Sequence, residues 1–203
     1  MFAVILSALV AYLLGSINTS ILVSKFMGGS DIRNFGSGNA GATNTLRVMG
    51  KKAALLVVIG DALKGVLAIV AARLLADVFE ASVLCEYVAA LFVVVGHVFP
   101  VYFGFRGGKG IMTSIAVVFT LDPAIGAILV SVFVAVLICS NYVSLSSVVA
   151  SVCFPLCVLW LHNGDVAFLT SSVILAVLTV VKHRTNISRL IKGTESKLIK
   201  PKN

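Results

Sequence analysis

Charged residues are scarce in this chain, and acidic residues are the scarcest. Asp, Glu, Lys and Arg together make up 12% of the 203 residues, whereas 59% are hydrophobic, and only eight side chains are carboxylic acids. A soluble globule needs more polar surface than this composition supplies. The composition therefore excludes a soluble domain and predicts an integral membrane protein.

Side chains that ligate metals are few and dispersed. The four cysteines show no Cys-x-x-Cys spacing, and Cys153 and Cys157 share only a helical face, so we interpret all four as small buried hydrophobes. The three histidines, His97, His162 and His183, are not grouped in the sequence. We therefore expect no metal and no cofactor.

The Gly-Lys pair within FRGGKG does not form a nucleotide P-loop. Such a loop needs Ser or Thr directly after the lysine and a strand before the glycines. Here Gly110 follows Lys109, and a helix is predicted before the glycines.

Long apolar runs fill most of the chain. They are continuous rather than alternating, which favours helices over a barrel, and a helix needs about 20 residues to cross a bilayer. We predict a single membrane-embedded domain over residues 1–203, an all-α bundle of about seven transmembrane helices. The runs are Phe2–Ser24, Ala53–Ala76, Ser82–Tyr102, Ile111–Leu121, Pro123–Cys139, Val143–Leu161 and Val166–Val181.

The cations are distributed unevenly between the loops. Lys and Arg accumulate in short cytoplasmic loops. Fourteen cations lie in the loops after the first and third runs and in the tail. All three regions can face the cytoplasm only if the fourth and fifth runs are separate helices. Pro123 disfavours helix at Asp122, which makes a break there reasonable. We predict an N-terminus outside and a cytoplasmic C-terminus. The 14 cations are Lys25, Arg33, Arg47, Lys51, Lys52, Arg106, Lys109, Lys182, Arg184, Arg189, Lys192, Lys197, Lys200 and Lys202.

Three polar segments fall on this predicted cytoplasmic face. They read NFGSGNAGATNTLRVMGKK (34–52), GHVFPVYFGFRGGKGIMTS (96–114) and KHRTNISRLIKGTE (182–195). Glycines let backbone N–H groups approach an oxyanion, and Arg and Lys supply charge, so phosphate is the ligand that suits this mixture. For any one segment there is a simpler alternative. The glycines would mark turns, and the cations would only reflect the accumulation of Lys and Arg in cytoplasmic loops.

These segments, with the intervening DALKG (61–65), resemble the conserved blocks of the acyl-phosphate-dependent glycerol-3-phosphate acyltransferases, the PlsY family of bacteria. The likeness runs from Gly15 to Glu195 in the same order and spacing, and blocks of this length are specific. One departure is Asn18, which stands where the family usually has proline, and another is GIMTS in place of GVATS.

The resemblance implies an acyltransferase of the bacterial inner membrane with its active site on the cytoplasmic face. It would transfer a fatty acyl group from acyl phosphate to the 1-hydroxyl of glycerol 3-phosphate, giving lysophosphatidic acid and phosphate as the first step of phospholipid synthesis. The implied partners are these two substrates, membrane lipids and the enzyme that supplies acyl phosphate, with no nucleic acid. Acyl phosphate is already activated, so positioning and electrostatics can supply most of the catalysis.

Matching the blocks residue by residue gives the candidate site. Ser37, Arg47, Lys109, His183 and Asn186 are the candidate catalytic residues. Phosphate binding is assigned to Gly36, Gly38, Asn39, Gly41, Thr43, Asn44, Gly107 and Gly108, and support of the site to Asp61, Lys64 and His97.

Several of these residues have a purely structural alternative. Ser37 and Asn39 are common in turns, Thr43 could cap the helix that carries Arg47, and Asn186 could cap a tail helix over 187–191. Asp61 and Lys64 lie three residues apart on one helix face, where isolated charges are costly, so we expect a mutual ion pair or contacts with the loops.

Two other function classes remain open at this point. A membrane transporter of a phosphate-bearing anion would also gather cations, but it predicts two related halves, and the sequence shows no repeat. A non-catalytic subunit that binds anionic headgroups predicts cations without the amide and hydroxyl clusters. The identity of the base also stays open between His183, a carboxylate and a substrate phosphate.

Overall fold

The computed structural model describes residues 1–198, so Lys200 and Lys202 of the basic tail lie outside the described residues. Within residues 1–198 the regular structure is helical throughout, which confirms the predicted all-α fold. The helices are α1 (Phe2–Ser16), α2 (Thr19–Gly28), α3 (Ala42–Met49), α4 (Lys51–Val78), α5 (Leu84–Val98), α6 (Ile111–Leu121), α7 (Pro123–Ser140), α8 (Val143–Leu161), α9 (Val166–Lys182) and α10 (Arg184–Ile191), with 3-10 turns at Ile32–Asn34 and Val101–Phe103.

The chain divides into two compact units, an N-terminal unit over Met1–Leu121 and a C-terminal unit over Asp122–Asn203. The first contains α1 to α6 and the second α7 to α10.

Five helical segments in the described part of the chain are long and apolar enough to cross a bilayer. Helices α9 and α10, which meet at a bend of 57°, are long and apolar enough only when taken together. Helix α6 is apolar but shorter. The five are Phe2–Gly28, Lys51–Val78, Leu84–Phe103, Pro123–Ser140 and Val143–Leu161.

The predicted interruption at Asp122 is present. Helix α6 ends at Leu121 and α7 begins at Pro123, and the Asp122 carboxylate accepts hydrogen bonds from the N–H groups of Ala124 and Ile125. A proline at the first helical position has no N–H to leave unpaired, and the carboxylate caps the N–H groups that follow.

The first apolar run contains a break that was not predicted. Helix α1 ends at Ser16, and α2 begins at Thr19 with the Asn18 side chain accepting a hydrogen bond from the N–H of Ile21. Asn18 is therefore the N-cap of α2. The break interrupts the series of backbone hydrogen bonds, so the carbonyl of Ile17 needs a hydrogen-bond donor from elsewhere in the protein.

Two glycines allow α1 and α5 to pack backbone to backbone. A Cβ added to Gly15 would collide with the carbonyl of Val93, and one added to Gly96 would collide with the carbonyl of Tyr12. Small residues at a crossing let membrane helices approach closely, where packing replaces the hydrophobic effect as the source of stability.

The prediction that all four cysteines are buried is wrong for Cys139. Cys85 and Cys157 are buried and Cys153 is partly buried, but Cys139 is exposed near the end of α7. Only 11% of the α7 span is buried within the protein. An apolar side chain on such a helix can face lipid, so its hydrophobicity does not predict burial in the protein.

Candidate active site

The first polar loop is organised around the buried amide of Asn44. Its Oδ1 accepts a hydrogen bond from the N–H of Ser37 at 2.8 Å, and its Nδ2 donates to the carbonyls of Ile32 and Phe35 at 3.3 and 3.0 Å. Asn44 is 1% exposed. The side chain thus holds the loop in shape, and its assignment to phosphate binding stays a prediction.

The same loop is attached to α2 through two buried hydroxyls. Ser20 and Thr45 lie 2.9 Å apart between their Oγ atoms, and the Thr45 hydroxyl donates to the carbonyl of Gly41 at 3.2 Å. Gly41 is the N-cap of α3 and Thr43 lies inside its first turn, so the reading of Thr43 as the cap is wrong.

The exposed part of the loop carries the reactive candidates. Ser37 and Arg47 are exposed, with Arg47 in the last turn of α3. Asn39 and Thr43 are partly buried, and Gly36 and Gly38 are exposed and take positive φ angles of 59° and 71°.

The second polar loop packs directly on the first. A Cβ added to Gly108 would collide with both the His97 ring and the carbonyl of Ala40, which belongs to the first loop. A Cβ added to Gly107 would collide with the carbonyl of His97. The structure therefore brings the two loops together within the N-terminal unit, with Lys109 next to the contact.

Glycine N–H groups in both loops are engaged inside the protein. Gly38 donates to the carbonyl of Phe35 and Gly41 to that of Asn39, while Gly107 donates to Val98 and Gly108 to His97. These four N–H groups hydrogen-bond to backbone carbonyls, and Gly107 and Gly108 also allow close packing against His97.

A buried charged cluster contacts the second loop through His97. The ammonium of Lys64 lies 2.9 Å from Asp61 Oδ1 and donates to His97 Nδ1 at 2.8 Å and to the carbonyl of Ile17 at 2.9 Å. The expected ion pair is present, and His97 belongs to the same cluster. Because an ammonium only donates, Nδ1 accepts and the neutral His97 ring carries its proton on Nε2, beside Gly108.

In the C-terminal unit, His183 lies at the junction of α9 and α10. It is 2% exposed, and its Nδ1 donates to the carbonyl of Thr179 at 2.8 Å. A carbonyl can only accept, so the neutral ring has Nε2 as its basic nitrogen. This bond fixes both the tautomer and the orientation of the imidazole.

Asn186 is held by a carboxylate that sequence reasoning did not assign. Its Nδ2 donates to Glu195 Oε1 at 2.7 Å, and the same carboxylate accepts from Ser144 Oγ at 2.8 Å and from Arg189 Nε at 2.6 Å. Asn186 is not a helix cap, because α10 begins at Arg184. Glu195 thus ties the tail and α10 to the start of α8.

Burial raises the pKa of the Glu195 carboxyl, but the hydrogen bonds from Arg189, Asn186 and Ser144 outweigh burial, so its pKa lies below the usual value. Glu195 is accordingly ionised near neutral pH. A charge-assisted acceptor of this kind holds the amide of Asn186 more firmly than a neutral one.

Sequence reasoning also gave no role to Arg33 or Ser20. Arg33 donates to the carbonyls of Phe103 and Arg106, and Ser20 contacts the hydroxyl of Thr45. These partners are distant along the chain, and a sequence does not display such pairs. The acidic residue of the third block was visible in KHRTNISRLIKGTE, yet only the return of the tail onto α10 brings it to Asn186.

Among residues 1–198, no group of three or more His, Cys, Asp and Glu side chains is arranged to hold a metal ion. The candidate residues supply fixed cations, hydroxyls, amides and the imidazole of His183, and groups of these kinds can bind oxyanions and position a nucleophile.

Comparison with known proteins assigns the family. Residues 5–193 match the family described as glycerol-3-phosphate acyltransferase. A glycerol-3-phosphate acyltransferase from Thermoanaerobacter sp. (strain X514) is 47% identical over 198 residues, covering 98% of this chain and 96% of the relative. The corresponding protein of Clostridioides difficile (strain 630) is 42% identical over 198 residues, with 97% and 96% covered.

Two solved structures are also similar. Both are crystal structures of PlsY (YgiH), described as an integral membrane glycerol 3-phosphate acyltransferase. The glycerol 3-phosphate form has a TM-score of 0.87 and 36% identity, covering 96% of this chain and 94% of that one. The lysophosphatidic acid form has a TM-score of 0.83 and 34% identity, with the same coverage. The resemblance seen in the sequence is confirmed, and this chain belongs to the glycerol-3-phosphate acyltransferase family.

Proposed function

We propose that this protein transfers a fatty acyl group from acyl phosphate to the 1-hydroxyl of glycerol 3-phosphate, giving 1-acyl-glycerol 3-phosphate and phosphate. The observation that carries the proposal is the contact between the two cationic loops of the N-terminal unit, where Gly108 packs on the carbonyl of Ala40. Membership of the family supports the acceptor, and an acyl phosphate is already activated, so positioning and electrostatics can supply most of the catalysis.

In this mechanism the oxygen of the glycerol 3-phosphate hydroxyl attacks the acyl carbonyl, and the bond from that carbonyl to the phosphate oxygen breaks. Arg47 and Lys109 stabilise the charge that grows on the departing phosphate. The hydroxyl proton passes to a phosphate group, whose second pKa is near 6 by analogy with phosphoserine.

His183 is assigned to positioning the acceptor. Its Nδ1 is committed to the Thr179 carbonyl, so Nε2 is the nitrogen that accepts a hydrogen bond from glycerol 3-phosphate. Asn186, which Glu195 holds through its Nδ2, is assigned to contact the same substrate.

The membrane arrangement completes the proposal. Cations in the loops after α2 and α5 and in the tail place those segments in the cytoplasm of a bacterial cell, with the N-terminus outside. The acyl chain then stays in the bilayer of the inner membrane, and soluble glycerol 3-phosphate arrives from the cytoplasm. The enzyme works alongside whichever protein supplies acyl phosphate.

The activity is tested with purified protein, acyl phosphate and glycerol 3-phosphate. We expect one phosphate released for each lysophosphatidic acid formed, and neither product when one substrate is omitted. In sealed inside-out membrane vesicles the reaction should proceed with external glycerol 3-phosphate, and in right-side-out vesicles it should not. Phosphate release without glycerol 3-phosphate would contradict acyl transfer, and equal activity in both vesicle types would contradict the orientation.

Replacement of either proposed phosphate ligand should be costly. Arg47→Ala and Lys109→Ala should each lower kcat/KM by at least about a hundredfold, because each removes a fixed charge from the leaving phosphate. Arg47→Lys and Lys109→Arg should recover only part, since a planar fork and a point charge bind phosphate differently.

The matched control is Lys51→Ala, an exposed cation at the start of α4. Its kcat/KM should stay within about twofold of the unmodified enzyme. Near-normal activity of Lys109→Ala would make the second loop structural and remove Lys109 from the mechanism.

Replacement of His183 separates positioning from base catalysis. His183→Gln keeps hydrogen-bonding capacity, so it should mainly raise the KM for glycerol 3-phosphate and retain appreciable kcat. The pH dependence of kcat should keep its acidic limb, because that limb comes from a substrate phosphate. His162→Gln, the matched change elsewhere in the C-terminal unit, should leave both constants unchanged near neutral pH. A fall in kcat beyond about a thousandfold, with the acidic limb abolished, would instead identify His183 as the base.

A further inference from the structure

The guanidinium of Arg33 connects the two polar loops of the N-terminal unit. Arg33 lies in the 3-10 turn Ile32–Asn34, just before the first loop. Its Nη1 donates to the carbonyl of Phe103 at 2.8 Å and to the carbonyl of Arg106 at 2.9 Å. The Arg106 carbonyl belongs to the peptide bond with Gly107, and Phe103 lies earlier in the same loop, which goes on to Lys109.

The other three hydrogen bonds of this guanidinium are made to one carboxylate. Asp31 accepts from Arg33 Nε through both oxygens, at 3.0 and 3.2 Å, and from Arg33 Nη2 at 2.7 Å. The Asp31 carboxylate also caps the turn by accepting from the N–H of Arg33 at 3.0 Å. The hydrogen bond from Arg33 holds the pKa of Asp31 below its usual value, so the pair is intact throughout the neutral range. Asp31 thereby fixes the plane of the guanidinium and aims Nη1 at the second loop.

The opposite side of the same turn is bound to the first loop. The Nδ2 of Asn44 donates to the carbonyls of Ile32 and Phe35, which flank Arg33. Asn44 lies one turn before Arg47 on α3. The short turn is thus fastened by Asn44 to the helix that carries Arg47, and by Arg33 to the loop that carries Lys109.

We propose that Arg33 is a positioning residue of the transfer reaction, which sets the placement of Lys109 relative to Arg47 through its paired hydrogen bonds to the second loop. The proposal rests on the proposed function, because it takes Lys109 and Arg47 as the ligands of the departing phosphate. Arg33 itself touches no reacting atom in this account. Its guanidinium is occupied by protein carbonyls and by Asp31.

Lysine cannot reproduce this arrangement. An ammonium at the end of a flexible stem can reach the carboxylate or the carbonyls, but it lacks the planar fork that binds both groups at fixed angles. A charge-preserving change therefore separates the geometric role of Arg33 from the general benefit of a cation at this surface. Arg33→Lys is the main test variant, and Asp31→Asn is a second one that keeps the guanidinium but weakens its alignment.

The kinetic experiment is a double-mutant cycle with Lys109, using purified enzyme, acyl phosphate and glycerol 3-phosphate. We expect Arg33→Lys to lower kcat by about tenfold to a hundredfold with little change in either KM, because a small displacement of a catalytic group impairs the transition state more than binding. Asp31→Asn should lower kcat in the same sense by a smaller factor. In the Lys109→Ala background, Arg33→Lys should have at most about a twofold further effect. Lys51→Ala is the control for loss of an exposed cation and should leave kcat unchanged.

Trypsin provides a readout that does not depend on activity. Trypsin cleaves after Lys and Arg, and the side chain of Arg106 is exposed. The carbonyl of Arg106 is one of the two that accept hydrogen bonds from Arg33. Loss of two hydrogen bonds should raise the local opening of this loop, so cleavage after Arg106 should be faster by about tenfold in Arg33→Lys and unchanged in Lys51→Ala.

The outcomes are distinct. Slower turnover, faster cleavage and a non-additive cycle together support the proposal. Normal kcat in Arg33→Lys, unchanged cleavage, or faster cleavage with normal kcat would each overturn it, as would a kcat loss that simply multiplies with that of Lys109→Ala. An unmodified enzyme that does not use acyl phosphate would defeat the proposed function instead, and the cleavage rates would still report whether Arg33 orders the loop.

Discussion

The ammonium of Lys64 connects three segments of the N-terminal unit. It donates hydrogen bonds to the carbonyl of Ile17, at the break between α1 and α2, and to His97 at the end of α5, and it forms an ion pair with Asp61 on α4 itself. The side chains of Lys64 and Asp61 are only 5% and 2% exposed. A buried charge is costly unless it is paired and hydrogen-bonded, and these contacts fix how the break, α4 and α5 meet.

The contacts of Lys64 also affect the two polar loops. His97 accepts from Lys64 on one side of its ring and packs on Gly108 on the other, and Gly108 in turn packs on the carbonyl of Ala40. Arg33 adds a second connection, from the turn before the first loop to the carbonyls of the second. The two close-packed loops carry Arg47 and Lys109, the cations that we propose as ligands of the departing phosphate.

The sequence was sufficient for the features that depend on composition and local chemistry. Apolar runs predicted the helices, Pro123 predicted the break at Asp122, and the three-residue spacing of Asp61 and Lys64 predicted their ion pair. It was not sufficient where the partner is a backbone atom distant in the chain. The break at Asn18 lies inside an apolar run, the task of Asn44 depends on the carbonyls of Ile32 and Phe35, and Glu195 reaches Asn186 only because the tail turns back. Glycine was read as a means of exposing N–H groups, whereas close packing uses the same residue to bring backbones together.

The unfolding temperature of Lys64→Met in detergent tests most directly whether the buried ammonium organises the N-terminal unit. This change leaves Asp61 buried without its charged partner and the carbonyl of Ile17 without its donor, a loss of about 3–5 kcal/mol. For a chain of this size that corresponds to a fall on the order of 10 °C. Lys52→Met makes the same substitution at an exposed position of the same helix and should leave the unfolding temperature unchanged. Equal unfolding temperatures for Lys64→Met, Lys52→Met and the unmodified protein would contradict the account.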